Sequence, residues 1–246
     1  MELTGKVAII TGGKRIGRVV AQTLAARGMD VVLSYRGSKK EAEDTVADVV
    51  AAGRCATTVA ADVARPEDCG AIIAHAMASF GRIDVLVNMA SIYRSRALED
   101  VTVEYWNTDI DVNLRSAFLC AHAALPHMRA GGGGRIVNFA DWLARSGRPQ
   151  YKGFTSYYVA KAGVIALTES LALEGASDNI LVNAIAPGPI VPPPDMSQDE
   201  IDEVSRATPV GHWGGEAEIA RTVVLLCETD FITGETLRVD GGRHLR

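Results

Sequence analysis

Seven short apolar runs rich in β-branched residues, separated by longer stretches that are mostly helical in pattern, constrain this chain more than any other feature. They fall at residues 7–10, 31–33, 55–60, 85–87, 136–139, 180–185 and 236–239. Because they do not alternate apolar with polar residues, both faces of each strand should be buried, as in a parallel sheet. Helical patterns at 16–28, 39–52, 66–80, 101–130 (broken within), 156–175 and 215–228 supply the crossovers that parallel strands need. Pro66 followed by Glu67 and Asp68 marks one helix start, where proline's missing donor costs nothing and acids favour the positive end. The expectation is an α/β fold: a single Rossmann-like, doubly wound domain over residues 1–246 with a seven-stranded parallel sheet.

Nothing in the composition divides the chain. Four glycines at 131–134 fit a tight helix-to-strand loop better than a linker. Residues 187–195 hold five prolines and lead into an acidic amphipathic piece near 197–206. This excursion, near 188–212, reads either as a cover over a substrate site or as a plain surface loop. A net charge of -5 argues against nucleic acid as a partner, since that role leaves a basic footprint. No apolar stretch approaches the ~20 residues that cross a bilayer, and no leader pattern opens the chain, so a cytoplasmic protein without a membrane partner is expected. Cys55, Cys69, Cys120 and Cys227 lack paired spacing and sit among small apolar residues, which suits buried thiols in a reducing compartment. The five histidines show no metal-ligand spacing, so no metal is expected.

The first strand runs into Thr11, Gly12, Gly13, Lys14, Arg15, Ile16 and Gly17, and then into an apolar-periodic helix. Glycines let a backbone turn sharply and approach a pyrophosphate, while the helix N-terminus offers unpaired N–H groups. Structural strand-to-helix turns also use glycine, so the position after strand one is what gives the turn weight. At the end of strand two an NAD site places a carboxylate for the ribose hydroxyls. Here Ser34, Tyr35, Arg36, Gly37 and Ser38 stand instead. Arg36 and Ser38 could bind a 2′-phosphate, assisted by Lys14 or Arg15, and the expected cofactor is NADP(H).

Tyr157 and Lys161 lie four residues apart on a helical stretch and so share a face. A free phenol titrates near ~10, and a neighbouring ammonium would stabilise its ionised form. Such a pair suits proton transfer during hydride chemistry.

With these pieces in order, the chain resembles the short-chain dehydrogenase/reductase family over essentially its whole length. The matching segments are the glycine turn, Asp62 and Val63 after strand three, residues 88–91 after strand four, and Asn113 within 111–114. The Tyr157/Lys161 pair, Pro187 with Gly188, and residues 239–242 complete the set. The resemblance implies that Tyr157 is the proton donor in reduction and that Lys161 holds the ribose while lowering the phenol's pKa. It implies that Asn113 holds a water relaying protons through Lys161. Asp62 and Val63 would contact adenine, Asn88 and Ala90 would line the cofactor, and Ile190 would meet the carboxamide. It also implies a homo-oligomer, a tetramer.

Three departures shape the substrate expectation. The glycine turn is one residue short of the family pattern, with Arg15 in the middle glycine's place, as in the pteridine-reductase branch. The family's catalytic serine position holds Asp141, also as in that branch. An ionised carboxylate there would repel a developing alkoxide and suits a substrate bearing N–H donors; a carboxyl kept protonated would donate instead. Asp141 and Tyr157 are also three residues farther apart than usual. Trp142, Tyr151, Phe154 and Tyr93 could wall a flat substrate or merely pack the loop or face another subunit. The small-molecule substrate expected is therefore a planar heterocycle such as a pterin. The alternatives are a carbonyl, such as a 3-oxoacyl thioester or ketone, and a non-catalytic NADPH-sensing regulator.

Overall fold

The computed structural model describes residues 1–147 and 149–246. Its strands are β1 Val7–Thr11, β2 Asp30–Tyr35, β3 Ala56–Ala60, β4 Val85–Asn88, β5 Gly134–Phe139, β6 Ile180–Pro187 and β7 Thr236–Val239. They pair in parallel throughout, in the order β3-β2-β1-β4-β5-β6-β7. The central strands β1, β4 and β5 are buried along their whole length, as their unbroken apolar runs require. The edge strand β3 is only half-buried. The chain proceeds outward from β1 to β3 and then restarts at β4 on the other side of β1. Such a reversal leaves a crevice beyond the carboxyl ends of the two central strands.

Helices cover both faces of the sheet. On one face α1 (Ile16–Ala26), α2 (Lys39–Ala51) and α9 (Glu216–Glu228) bury Val20, Leu24, Val49, Ile219 and Val223 against β1, β2 and β4. On the other, α3 (Pro66–Phe80), α5 (Ser116–Ala130) and α7 (Thr155–Gly175) bury Ile72, Ala124, Met128 and Leu171. The helical pattern at 101–130 is broken, as expected: α4 spans Val103–Ile110, and a π turn at Asp111–Arg115 joins it to α5. Single π turns inside helices concentrate at functional sites, and this one carries Asn113.

Two elements differ from the sequence expectation. Residues after Asp141 form a short helix, α6 (Trp142–Ser146), instead of a loop. Asp141 caps it, accepting from Leu143 N–H at 2.8 Å, and Gly147 ends it in the left-handed region. A five-residue helix is too short to show periodicity, so only its cap and its terminal glycine could have revealed it. Cys55 is exposed, whereas the other three cysteines are buried as expected. It sits just ahead of β3, the half-buried strand at the edge of the sheet. The acidic piece near 197–206 forms α8 (Gln198–Ala207), started by a reciprocal Ser197/Glu200 capping box. Among the described residues no helix is long and apolar enough to cross a membrane.

Candidate active site

The crevice holds two adjoining cavities. The first, about 460 Å³, lies beyond β1 to β4 and is lined by Gly12, Lys14, Tyr35, Arg36, Ser38, Asp62, Val63 and Ala90, among others. The second, about 550 Å³, lies beyond β5 and β6; it is lined by Ile16, Asp141, Tyr157, Lys161, Pro187, Gly188 and Ile190, with an aromatic and aliphatic remainder. Most of the residues singled out in the sequence, scattered over the chain, therefore meet along one groove.

The glycine turn is shaped for close approach. Gly12 adopts φ +87°, where a Cβ would sit 3.4 Å from the Ala90 Cα, and a Cβ on Gly17 would sit 2.2 Å from the Gly12 carbonyl oxygen. No side chain caps the start of α1; its Gly17 and Arg18 N–H groups close tight turns onto the Lys14 and Arg15 carbonyls at 3.1 Å. Arg15 carries the strain of the shortened turn, at φ 52° and ψ -107°, a region that costs a non-glycine residue on the order of 1–3 kcal/mol. Its guanidinium donates to the Pro192 carbonyl at 2.8 Å. Arg15 thus points to the proline-rich segment, away from Arg36 and Ser38; Lys14 is the cation that lines the cavity with them. Lys14 pairs with Glu41 at 3.1 Å, and Arg36 stands 3.9 Å from Asp62. Cations at the end of β2, a helix N-terminus without a side-chain cap and a glycine cradle together fit a dinucleotide carrying a 2′-phosphate.

Asn88 and Asn113 lie beneath the groove. The Asn88 side chain turns inward and donates to the Asn138 side chain at 3.0 Å, and Asn88 is not among the residues lining either cavity. Asn113 accepts from the Ser91 hydroxyl at 2.7 Å and from Ile92 N–H at 3.1 Å, fixing the loop after β4.

Tyr157 and Lys161, four apart on α7, are both buried and face the second cavity. The Tyr157 hydroxyl donates to Asp141 Oδ2 at 3.1 Å. Lys161 Nζ donates to the Phe139 carbonyl at 2.7 Å and stands 5.7 Å from the Tyr157 ring centre. Burial brings the lysine down to about 8, with Asp141 opposing the fall. Burial, reinforced by the Asp141 charge, pushes the phenol well above its ordinary value. The ammonium was expected to lower it; in this site burial and the nearer carboxyl prevail, and the hydroxyl is held protonated. Burial likewise raises Asp141, against the Leu143 N–H and the Tyr157 hydroxyl that favour its ionised form.

An aromatic clamp surrounds the phenol. Tyr93 stacks on Phe154 at 4.4 Å and meets Tyr157 edge-on at 4.9 Å. Of the four aromatic residues proposed as walls, all line the second cavity. So do Val204 of α8, Met196 and Trp213, which close the far side. The sequence reading missed Ser91. It lines both cavities, and its hydroxyl, already donating to Asn113, lies close enough to Tyr157 to oppose the rise of that phenol's pKa. Its place at the end of the 88–91 motif was the available signal. Among the described residues no cluster of His, Cys, Asp and Glu could hold a metal.

The chain is similar to known proteins over nearly its whole length. A family model described as enoyl-(acyl carrier protein) reductase matches residues 12–244. The 3-oxoacyl-[acyl-carrier-protein] reductase of Staphylococcus aureus is 38% identical, with 100% of each chain covered. A putative short-chain alcohol dehydrogenase from Sinorhizobium meliloti superposes with a TM-score of 0.91 at 32% identity, covering 98% of this chain and 97% of that one. A blue fluorescent protein from a metagenomic library, solved in complex with NADPH, superposes with a TM-score of 0.91 at 33% identity over 99% of both chains.

Proposed function

The chain belongs to the short-chain dehydrogenase/reductase family, and from that premise we propose that it is an NADPH-dependent reductase of small ketones, 3-oxoacyl thioesters included. The observation that carries the reading is the buried Tyr157 hydroxyl, protonated and directed at Asp141 on the wall of a largely apolar cavity, with Lys161 one turn behind. The relatives' names fall on the carbonyl side of the substrate question, and the NADPH complex of a structural neighbour agrees with the cations at the end of β2.

Gly12, Gly17 and the start of α1 would hold the pyrophosphate, Arg36, Ser38 and Lys14 the 2′-phosphate, and Ile190 with Gly188 the nicotinamide end. When bound, NADPH supplies the hydride that forms the new C–H bond. Tyr157 gives its proton to the carbonyl oxygen as the C=O π pair becomes an oxygen lone pair, so that the ketone leaves as the alcohol. The phenolate left behind is stabilised by the Lys161 ammonium and takes its next proton from solvent. Asp141 weighs less against a carbonyl than its charge would suggest. Burial moves its carboxyl toward the neutral form, which donates to an oxygen and does not repel it.

A second reading, reduction of a planar heterocycle such as a pterin, draws on the same Asp141 in its ionised form and on the Tyr93–Phe154 stack. Purified protein with NADPH against ketones, 3-oxoacyl thioesters and pterins separates the readings. The carbonyl reading expects ketone turnover that Asp141→Ser improves. Pterin turnover that Asp141→Ser abolishes would favour the heterocycle, and tight NADPH binding with no turnover would favour a sensor. The protein also assembles, in this reading, as a homotetramer. Phe118 on α5 and Val159 and Leu173 on α7 are exposed apolar residues that a second copy would cover, and sedimentation velocity checks this.

A further inference from the structure

A third, smaller cavity of about 170 Å³ adjoins the reacting residues. Its walls are mainly apolar: Leu143 and Ala144 of α6, Tyr158 of α7, and Pro149, Tyr151 and Phe154 of the segment between them, with Gln150 and Thr155 as polar exceptions. Asp141, Tyr151, Phe154 and Tyr157 line both this chamber and the 550 Å³ cavity, so the acid and its carboxyl partner stand on the wall the two spaces share. That segment holds the three residues by which Asp141 and Tyr157 are farther apart than the family spacing, so the chamber is furnished by this chain's own extension. Tyr93, stacked on Phe154, and the Arg96 N–H bonded to the Gly153 carbonyl at 2.8 Å fasten the segment to the loop after β4.

A ketone carbonyl has two limbs, and an oxygen placed at the Tyr157 hydroxyl sends them in divergent directions. We propose that the 170 Å³ chamber receives the smaller limb while the larger limb lies in the 550 Å³ cavity. The inference rests on the ketone-reductase reading and specifies its substrate class. An apolar cavity of roughly 150 Å³ takes up benzene, so the small limb is a single six-membered ring or an alkyl group of about six carbons at most. In a 3-oxoacyl thioester that limb is the alkyl end of the acyl chain, and the thioester limb occupies the larger space. Ala144 on α6 and Tyr158 on α7 both line the chamber, and neither is placed on the reacting atoms.

The test is the ratio of kcat/KM between long-limbed and short-limbed substrates, with NADPH and 3-oxoacyl thioesters whose alkyl limb runs from methyl to decyl. Wild type should rise or hold to about six carbons and then fall by roughly tenfold or more, since a hydrophobic pocket discriminates by ~10–200-fold per misfit group. Ala144→Leu should move the fall to shorter limbs and Tyr158→Ala to longer ones, chiefly through KM. A flat profile in wild type, or a fall that neither variant moves while methyl-limbed substrates still turn over, overturns the chamber assignment. Should Ala144→Leu fail to fold, the wild-type profile and Tyr158→Ala still decide. No turnover of any ketone, methyl-limbed ones included, overturns the underlying reductase reading and this inference with it.

Discussion

The Tyr157 hydroxyl donates to Asp141 Oδ2 at 3.1 Å, while the other oxygen of that carboxyl caps α6 through Leu143 N–H at 2.8 Å. One side chain therefore starts a helix and holds the acid of the site in place. The double task explains why an aspartate can stand where the family carries serine. It is anchored from both ends, and substrate must draw the phenol away from it before a proton moves.

Asp141 makes stability depend on pH in a defined direction. Its carboxyl titrates above the ordinary value in the folded protein because burial disfavours the charge. Below the unfolded value of ~3.9 both states are protonated and burial costs nothing extra. As pH rises through the window between the unfolded and folded values, the unfolded chain releases its proton first, and folding becomes less favourable. Asp141→Asn keeps the cap, since asparagine caps as well as aspartate. Melting temperatures of wild type and Asp141→Asn should separate as pH rises from 4 toward 7, with the variant gaining. Parallel curves would contradict the burial of a charged group there.

The nucleotide end gives a second expectation. Arg36 has no carboxylate beside it on β2, and Glu41 holds Lys14 at 3.1 Å within the same cavity. Arg36→Asp should weaken NADPH binding by about 10–100-fold, the worth of a charge-assisted hydrogen bond, while affecting NADH little. Glu41→Gln should tighten NADPH, because it removes a negative charge from the phosphate's surroundings and frees Lys14. Calorimetric titration with both nucleotides reads each effect. An equal change for NADH and NADPH would place the 2′-phosphate elsewhere.

A third expectation concerns Asp109, a buried carboxylate on α4 that accepts from the Ser156 hydroxyl and lies 3.4 Å from Arg94. It ties the first turn of α7, next to Tyr157, to the loop bearing Tyr93. Ser156→Ala leaves that carboxylate with Arg94 as its remaining side-chain partner, and should cost about 1.5–3 kcal/mol in denaturant unfolding. A loss below ~0.5 kcal/mol would mean that the bond carries little of the local order.

Much of this was legible in the residues. The unbroken apolar runs gave the parallel sheet because burial on both faces leaves no polar alternation, and the glycine turn gave the nucleotide end because only glycine permits so close a backbone approach. The meeting of Asp141 with Tyr157 was partly legible through the family resemblance, which placed both near the reacting centre. What escaped depends on contacts made across the fold. Arg15 follows its strained backbone to Pro192, Asn88 finds Asn138 in the core, and Tyr157 is governed by burial and Asp141 more than by Lys161. A fourfold spacing on a helix places a lysine beside a phenol but says nothing of what else is packed around them.

The central claim, that Tyr157 supplies the proton without holding the nucleotide, is tested most directly by Tyr157→Phe. With a ketone that wild type reduces, kcat should fall by on the order of 10²–10⁴, while the NADPH dissociation constant stays at its wild-type value. Retained turnover, or a loss of NADPH affinity equal to the loss of rate, would contradict the account.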